Sequence, residues 1–292
     1  MSEGDRQSAP IDFAACTTRH QECRVSDTPA YSIFVNSTDT FADTWEPFFH
    51  LLDDFWPQTR PVILNTELST FTHPRVPILC TQVARPGETR IPWGECMLRA
   101  LDHIPTETFV YLQDDYFLDA PVRADVVEEA VRIVEREGLD CLRLMECGGA
   151  GPYEPTPYPW LRSVARDATY RISLQAGVWT KTGIRTYVRA HESPWQMEIW
   201  GSKRASRIPG RIWAVSRDVY SEEHEQVVPY TPTGIVQGRW SRAIVEPLFA
   251  EHGIKVPFEA RGWLPDSGPA RSTVAQKFRK LPRFAWDRIR SL

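Results

Sequence analysis

The sequence predicts an α/β fold in which a mostly parallel, Rossmann-like central sheet is flanked by helices. Apolar, β-prone runs alternate with amphipathic helical patterns between residues 31 and 145, as they do in successive βαβ units. The 292 residues are enough to bury one large core. No internal repeat and no linker-like stretch interrupts the pattern, so we expect a single domain.

The first βαβ unit is predicted at residues 31–66. The runs YSIFVNS (31–37) and PVILNT (61–66) are typical of buried strands. Between them, aromatic and apolar residues recur at helical spacing, Asp and Thr residues precede them as candidate caps, and Pro57 ends the helix. The apolar face of this helix consists of Trp45, Phe48, Phe49, Leu52 and Trp56.

Two further helices and two further strands follow. A helix is expected from near Trp93 to just before Pro105, and an amphipathic helix at 121–138 that ends at Gly138. In the second helix, Glu128 and Arg132 are spaced to pair one turn apart. The strands are predicted in TFVYLQDD (108–115) and DCLRLM (140–145).

The second half of the chain is less regular. Residues 147–160 contain four prolines, three glycines and three aromatic residues, which predicts a long loop. A short helix is expected in TGIRTYVRA, and another at 193–205 with Pro194 in its first turn. Strands are predicted at 170–179, 211–216 and 225–230.

The composition argues against several classes of protein. A net charge of -4 does not suggest a nucleic-acid binder, and no run approaches the 18 apolar residues of a membrane span. The N-terminus has no apolar segment typical of a signal peptide, and the six cysteines form no CxxC pair, so we expect a cytoplasmic protein with reduced thiols. The 11 tryptophans either fill the core or stack on sugars and bases.

The C-terminal residues 270–292 form a basic segment with interleaved aromatic and apolar residues. Seven Lys and Arg residues stand against a single acid, Asp287. Such a tail is suited to peripheral association with an anionic membrane, here the inner face of the plasma membrane. The alternative is a solvated helix that packs one face on the domain.

The stretch FVYLQDDYFL ends an apolar run with two adjacent acids, Asp114 and Asp115. Consecutive strand residues point to opposite faces, so both can reach one ligand only if the chain turns there. Ligands of open α/β sheets bind outside the carboxyl ends of the strands. Two carboxylates at that position suit Mg²⁺ or Mn²⁺ bound to phosphate oxygens. The alternatives are a cap on the next element or a pair with a core arginine.

This stretch resembles the acidic motif of GT-A fold glycosyltransferases, which is usually Asp-x-Asp or a variant and ends a central strand of the nucleotide-binding half. Gln113 stands where the first acid is usual, which gives a QDD variant. The resemblance implies that Asp115 contacts a divalent metal against the diphosphate of a nucleotide-sugar. It gives Asp114 a supporting role toward the metal, the ribose or the sugar, and places Gln113 at the same nucleotide-sugar site.

The chain around the first strand resembles the opening of bacterial sugar transferases. The resemblance makes Ser37, Thr38 and Asp39 candidates for nucleotide contacts and places Trp93 near base and ribose. The alternatives are that Asp39 caps the following helix and that Trp93 packs in the core.

The segments LQAGVW and ESPWQMEIWGSKRA resemble the acceptor side of inverting members. The resemblance implies that Gln175, Gly177, Trp179 and Trp195 lie on that side. An inverting transfer needs one general base, and we choose Glu198 because the surrounding tryptophans would raise its pKa. Glu192 is the second choice, and a capping or ion-paired glutamate is the alternative.

Residues 1–29 are polar without a clear period, so we expect an N-terminal arm there. The resemblance implies a single GT-A catalytic domain at 30–269, which the basic tail at 270–292 follows. Within the domain, residues 30–146 would be the nucleotide-binding half and 147–269 the acceptor half. The expected activity is an inverting, metal-dependent hexosyl transfer from a nucleotide-sugar to a hydroxyl of a glycan, lipid-linked or small-molecule acceptor, as in bacterial surface polysaccharide synthesis. The alternatives are a nucleotidyltransferase, against which the lack of a glycine-rich loop counts, and a non-catalytic carbohydrate-binding protein.

Overall fold

A computed structural model describes residues 30–88, 90–145, 151–221, 224–230, 233–265 and 291. The predicted arm at 1–29 lies outside these residues, as does the tail at 270–292 apart from Ser291. The strands are β1 (Ser32–Asn36), β2 (Val62–Leu64), β3 (Ile78–Cys80), β4 (Thr108–Gln113), β5 (Cys141–Arg143), β6 (Tyr153–Pro155), β7 (Leu161–Val164), β8 (Gly177–Thr180), β9 (Ile212–Val215), β10 (Ile235–Val236) and β11 (Arg239–Trp240).

The helices lie between these strands and after them. A π-helical turn at Met197–Gly201 joins α5 to α6, and short 3₁₀ turns occur at Asp39–Phe41, Leu101–His103 and Phe258–Ala260. The α-helices are α1 (Ala42–Phe55), α2 (Trp93–Ala100), α3 (Ala124–Glu137), α4 (Lys181–Tyr187), α5 (Pro194–Gln196), α6 (Ser202–Ala205) and α7 (Arg242–Glu251).

Nine of the described strands form one sheet in the order β3-β2-β1-β4-β8-β5-β9-β7-β6. The pairs β3–β2, β2–β1, β1–β4 and β5–β9 are parallel, whereas β8 runs antiparallel to both β4 and β5. At the far edge, β7 runs antiparallel to β9 and β6. Only β7 and β8 therefore oppose the common direction, and the predicted α/β fold with a mostly parallel central sheet is confirmed.

Helices cover both faces of the sheet, as strand alternation requires. In β1, Ile33 and Val35 face the core that contains residues of α1, α3 and α7, and Phe34 faces the core that contains residues of α2 and α4. The same alternation continues through β2 and β4. Residues that follow the strands at their carboxyl ends thus emerge between two layers of helices.

The regular first half agrees with the sequence predictions except for β3, an edge strand that was not predicted. Helix α3 carries the predicted apolar face and ends at Gly138, whose φ of 61° is the left-handed conformation that glycine adopts without steric cost. Glu128 and Arg132 pair at 3.7 Å. The described cysteines are free thiols, and no helix in the described ranges is long and apolar enough to cross a membrane.

Three predictions of the second half were wrong in detail. The strand expected at 170–179 begins only at Gly177, because backbone N–H groups before it bond to side chains of Ser202 and Glu198. The loop expected at 147–160 contains the edge strand β6 in its described part. Residues 225–230 form no strand but a single bridge from Tyr230 to Leu118, since Pro229 lacks the N–H that a ladder needs.

Candidate active site

Buried polar side chains line the carboxyl ends of β1, β2 and β3. Asn36 follows the apolar run of β1, and its side-chain oxygen accepts a hydrogen bond of 3.2 Å from Asn65 after β2. Thr81, which follows β3, donates to the Asn65 side chain at 3.1 Å. All three residues are buried. Because buried polar groups are costly without partners, these hydrogen bonds stabilise the polar side chains at the carboxyl ends of the three strands.

The acid pair lies in a turn at this same edge. Strand β4 ends at Gln113, and the N–H of Tyr116 bonds the Gln113 carbonyl at 3.3 Å. The N–H of Asp114 still bonds the Asn36 carbonyl of β1 at 3.4 Å. The chain therefore leaves strand geometry at the two acids, which removes the constraint that would send their side chains to opposite faces.

Asp114 is held from the α1 side of the sheet. Its Oδ2 accepts hydrogen bonds from the hydroxyl groups of Ser37 and Thr44, the latter at 2.9 Å. The indole N–H of Trp45 donates to the Ser37 hydroxyl oxygen at 2.7 Å. Ser37, predicted as a nucleotide contact, thus fixes the orientation of Asp114.

Asp115 is held by a segment from much later in the chain. The Thr233 hydroxyl lies 2.8 Å from its Oδ2, and the N–H of Gly234 bonds its carbonyl oxygen at 2.8 Å. Within the described residues, these contacts leave Oδ1 of Asp115 without a hydrogen bond. The sequence carries no signal for this contact, because nothing near Thr233 predicts where that loop packs.

Burial makes the carboxyl groups of Asp114 and Asp115 costly to ionise. Burial, together with the charge of Asp115, raises the pKa of Asp114 to about 8, although Ser37 and Thr44 act against the shift. Burial likewise raises the pKa of Asp115, partly offset by Thr233 and by the positive charge of Arg261. The folded chain thus concentrates carboxyl groups where their ionised forms are costly.

The donor set fits a hard divalent cation. Two carboxyl groups and the neighbouring Thr233 hydroxyl present only oxygen atoms, which Mg²⁺ and Mn²⁺ prefer. A divalent cation here would balance the buried negative charge of Asp114 and Asp115. The described residues contain no group of three or more His, Cys, Asp and Glu side chains placed to hold a metal, so ligand and water oxygens would complete the coordination.

Glu198 lies in the π-helical turn between α5 and α6. Its Oε1 accepts hydrogen bonds from the Leu174 N–H at 2.9 Å and the Ser173 hydroxyl at 3.5 Å, and Oε2 accepts none from the described residues. Burial raises its pKa, which those hydrogen bonds and the charge of Arg143 only partly offset. Such π-helical turns occur frequently at functional sites.

Glu198 and the acid pair share their surroundings. Burial raises the pKa of Tyr111 well above its ordinary value, and the charges of Glu198, Asp115 and Asp114 add to that shift. The Tyr111 hydroxyl is buried, and no group in the described ranges forms a hydrogen bond with it. The structure therefore brings Glu198 to the same end of β4 as the two aspartates.

The Gln113 side chain connects the acid pair at the end of β4 to Glu198 through the backbone of Leu174. Its side-chain amide donates to the Leu174 carbonyl at 2.7 Å, and the Leu174 N–H donates to Glu198. Gln175 donates to the Tyr116 hydroxyl at 3.0 Å and accepts from the Tyr230 hydroxyl at 2.7 Å. Two predicted site residues, Gln113 and Gln175, thus join the end of β4 to the chain that leads into β8.

The remaining residues predicted for the nucleotide occupy varied positions. The Asp39 carboxylate accepts hydrogen bonds from the backbone N–H groups of residues 67–69 and so organises the loop after β2. Burial works to raise the Asp39 pKa, but those backbone bonds outweigh it and lower the pKa. The Thr38 hydroxyl lies 2.6 Å from that of Thr40, at the surface.

Trp93 begins α2 and packs against the core on that face, with its indole N–H buried and unpaired. The next residue, Gly94, has no room for a side chain, because a Cβ there would lie 2.0 Å from the Arg189 carbonyl oxygen. The close approach ties the start of α2 to the segment before α5, which also bonds Gly94 through the Glu192 carbonyl at 3.0 Å.

The other residues predicted for the acceptor side differ in burial and lie on different elements. Gly177 begins β8, and Trp179 is fully buried against Tyr187 with its indole N–H unpaired. In contrast, Trp195 on α5 leaves 75% of its surface exposed.

Glu192, the second choice for the base, is fully buried in an ion pair with Arg204 at 2.6 Å. Arg204 also donates to the backbone carbonyls of Ser291 and Tyr187, and the Ser291 hydroxyl lies 3.0 Å from the His191 ring. The Glu192 carboxylate is thereby committed to a structural cluster, whereas Oε2 of Glu198 accepts no hydrogen bond from the described part of the chain.

Comparison with known proteins gives distant similarities of structure. No protein family and no curated protein matches the sequence. Similar solved structures include residues 1–349 of TarS from S. aureus, with a TM-score of 0.43 and 15% identity over 64% of this chain and 58% of that chain. The mannosyltransferase PcManGT from Pyrobaculum calidifontis, in complex with GDP-Man and Mn²⁺, has a TM-score of 0.43 and 14% identity over 73% and 59%.

An apo UDP-glucose pyrophosphorylase is also similar, with a TM-score of 0.42 and 8% identity over 64% of this chain and 90% of that chain. This chain spans less than two thirds of the TarS and PcManGT structures. We base no functional conclusion on similarities of this degree.

Proposed function

We propose that this protein is a divalent-metal-dependent glycosyltransferase of GT-A type that uses a nucleotide-sugar donor and inverts the anomeric centre. The observation that carries the proposal is the acid pair Asp114–Asp115 in a turn at the carboxyl end of β4, to which Glu198 is linked through Leu174 and Gln113. A bound cation would offset the negative charge of the ionised pair, and Glu198 offers a separate carboxylate as a base.

Asp115 and Asp114 are the residues that would hold Mn²⁺ or Mg²⁺. A bound cation there supplies charge neutralisation for the diphosphate of the donor. Ser37 and Thr44 keep Asp114 in place, and Thr233 does the same for Asp115. The nucleotide would lie along the polar edge near Ser37, Thr38, Asp39, Trp93 and Gln113.

Glu198 is proposed as the general base. Its Oε2 accepts the proton of the acceptor hydroxyl while that oxygen forms a bond to the anomeric carbon of the donor sugar. The bond between the anomeric carbon and the diphosphate oxygen breaks, and the nucleoside diphosphate leaves with the bonding electrons. Because attack comes from the face opposite the leaving group, the product is inverted.

The acceptor is proposed to be a hydroxyl of a glycan, lipid-linked saccharide or small molecule. Gln175 is held between Tyr116 and Tyr230 beside the end of β4, and Trp195 is exposed on α5. Gly177 and the buried Trp179 would then support this side from within β8.

The proposal is tested by calorimetric titration of the purified protein with a panel of nucleotide-sugars, in MnCl₂ and in EDTA. We expect one donor to bind only with Mn²⁺ and Asp115→Asn to lose that binding. The matched control is Asp102→Asn, since Asp102 is exposed and lies before β4, at the opposite end of that strand from Asp115.

A second measurement identifies the products formed from the donor that binds. Release of a nucleoside diphosphate is expected for glycosyl transfer. Release of pyrophosphate on incubation with a nucleoside triphosphate and a sugar phosphate would instead indicate nucleotidyl transfer. The proposal fails if no donor binds in either buffer, or if Asp115→Asn binds the donor as the unmodified protein does.

A further inference from the structure

A cleft of about 410 Å³ opens beside Glu198, on the side of α5 and α6. One wall is the loop at residues 166–170, and the other is a helical face whose members recur at residues 198, 199, 202, 203 and 206. The volume lies within the range of roughly 300–1,000 Å³ that is usual for small-ligand sites. Its lining includes Arg166, Asp167, Tyr170, Glu198, Ile199 and Lys203.

Tyr170 is presented to this cleft by an unusual backbone. Its φ of 52° lies in the left-handed region, which is costly for a bulky residue, and half of its surface is exposed. The guanidinium of the buried Arg143 donates to the Tyr170 carbonyl at 3.1 Å and to the Tyr153 hydroxyl at 3.2 Å. A core arginine thus holds a strained loop that places an aromatic ring at the mouth of a cleft.

The opposite wall also exposes apolar surface. Ile199 lines the cleft and is 37% exposed, and the exposed Trp195 lies one helical turn before it. Charged groups of both signs surround this surface, from Arg166 and Lys203 to Asp167. An aliphatic chain in the cleft would exclude water from these charged groups without forming hydrogen bonds to them. A polyhydroxylated ligand can form such hydrogen bonds.

We propose that this cleft binds the acceptor as a carbohydrate, with the apolar face of a pyranose ring on Tyr170 and a hydroxyl directed to Glu198. The inference rests on the proposed function, since it takes Glu198 as the base. Glu198 lines the cleft and also accepts a hydrogen bond from the Leu174 N–H, while the Leu174 carbonyl accepts one from Gln113 at the end of β4, next to Asp114. It therefore lies where an acceptor in the cleft and a donor at the end of β4 would meet.

The test compares ligand binding by the unmodified protein, Tyr170→Asn and the control Leu79→Asn. Asparagine removes the ring but tolerates a left-handed backbone, so the loop is kept. Leu79 is exposed on β3, at the opposite edge of the sheet, and gives a matched exposed site. The probes are 4-nitrophenyl glycosides of glucose, galactose, mannose and N-acetylglucosamine, detected by saturation-transfer NMR, with donor binding in Mn²⁺ measured in parallel.

We expect at least one glycoside to bind, Tyr170→Asn to weaken it about tenfold or more, and both variants to bind the donor normally. The inference is overturned if Tyr170→Asn binds glycosides as the control does, or if no glycoside binds a protein that binds its donor. Binding of the protein to uncharged lipid vesicles that depends on Tyr170, without glycoside binding, also overturns it. A protein that binds neither donor nor glycoside contradicts the proposed function itself.

Discussion

The hydroxyl of Thr233 lies 2.8 Å from Oδ2 of Asp115, although 118 residues separate them in the chain. The contact orients one carboxylate oxygen and leaves the other without a hydrogen bond among the described residues. A segment from late in the described chain therefore completes the support of the acid pair.

Replacement of Thr233 by valine should weaken Mn²⁺-dependent donor binding. Valine keeps the shape of the side chain but removes the hydrogen bond that orients Asp115, and loss of such a supporting bond typically costs about 10- to 100-fold in metal affinity. Calorimetric titration of donor in MnCl₂ measures the change. Thr186→Val, on α4, is the control, and equal affinities for the two variants would contradict the role given to Thr233.

Asp114 should make the metal-free protein less stable as the pH rises. Its pKa lies near 8 in the folded chain against an ordinary value of 3.8, so the folded state binds the extra proton between these values. Stability then falls as the pH rises from about 4 to about 8 and levels off above that range. Asp114→Asn should flatten this slope and raise the melting temperature at pH 8 in EDTA. A parallel slope in the variant would show that other groups cause it.

Glu198→Gln should reduce turnover while leaving donor affinity in place. Loss of a general base typically costs about 10²- to 10⁴-fold in rate. In the unmodified protein, burial raises the Glu198 pKa, so turnover should fall with decreasing pH at a value above the ordinary 4.5. Steady-state rates of nucleoside diphosphate release across pH give both results. Glu251→Gln, at the end of α7, is the control, and normal turnover in Glu198→Gln would remove it as the base.

The Glu192–Arg204 pair should behave as a structural unit. Arg204→Met leaves the Glu192 carboxylate buried and unpaired, which typically costs about 3–5 kcal/mol in free energy of unfolding. Changing both residues to methionine should recover most of that loss. Chemical denaturation measures it, with Arg185→Met as the control because the Arg185–Asp102 pair is exposed and contributes about 1 kcal/mol or less. A double variant no more stable than Arg204→Met would contradict this assignment.

The first half of the fold was predictable because its signals are local. The apolar runs of β1 and β4 and the amphipathic face of α3 depend on residues adjacent in sequence or one turn apart. The strand β6 was missed because its Pro-rich segment is typical of a loop, and Pro155 is tolerated because β6 lies at the sheet edge. Residues 170–176 look like a strand, yet their backbone bonds to side chains of a later helix.

The candidate site was predictable only in part for the same reason. The position of Asp114 and Asp115 after an apolar run indicated a strand end, and the tryptophans around Glu198 indicated a buried acid. The partners Thr44, Thr233 and Arg261 lie far from these acids in sequence and have no motif of their own. Tyr170 was also missed, because a left-handed backbone in a non-glycine residue leaves no mark on the sequence.

The antiparallel direction of β8 means that the cleft loop and the supports of the acid pair come from different segments of the chain. Because β8 runs against β4, the chain before Gly177 arrives at the carboxyl end of β4 from the loop at residues 166–170, which precedes the contacts of Gln175 and Ala176 with Tyr230. Residues 166–170 can therefore be diversified without altering the supports of the acid pair. If the cleft binds the acceptor as we propose, a combinatorial library confined to that loop would vary the choice of acceptor while the donor remained constant.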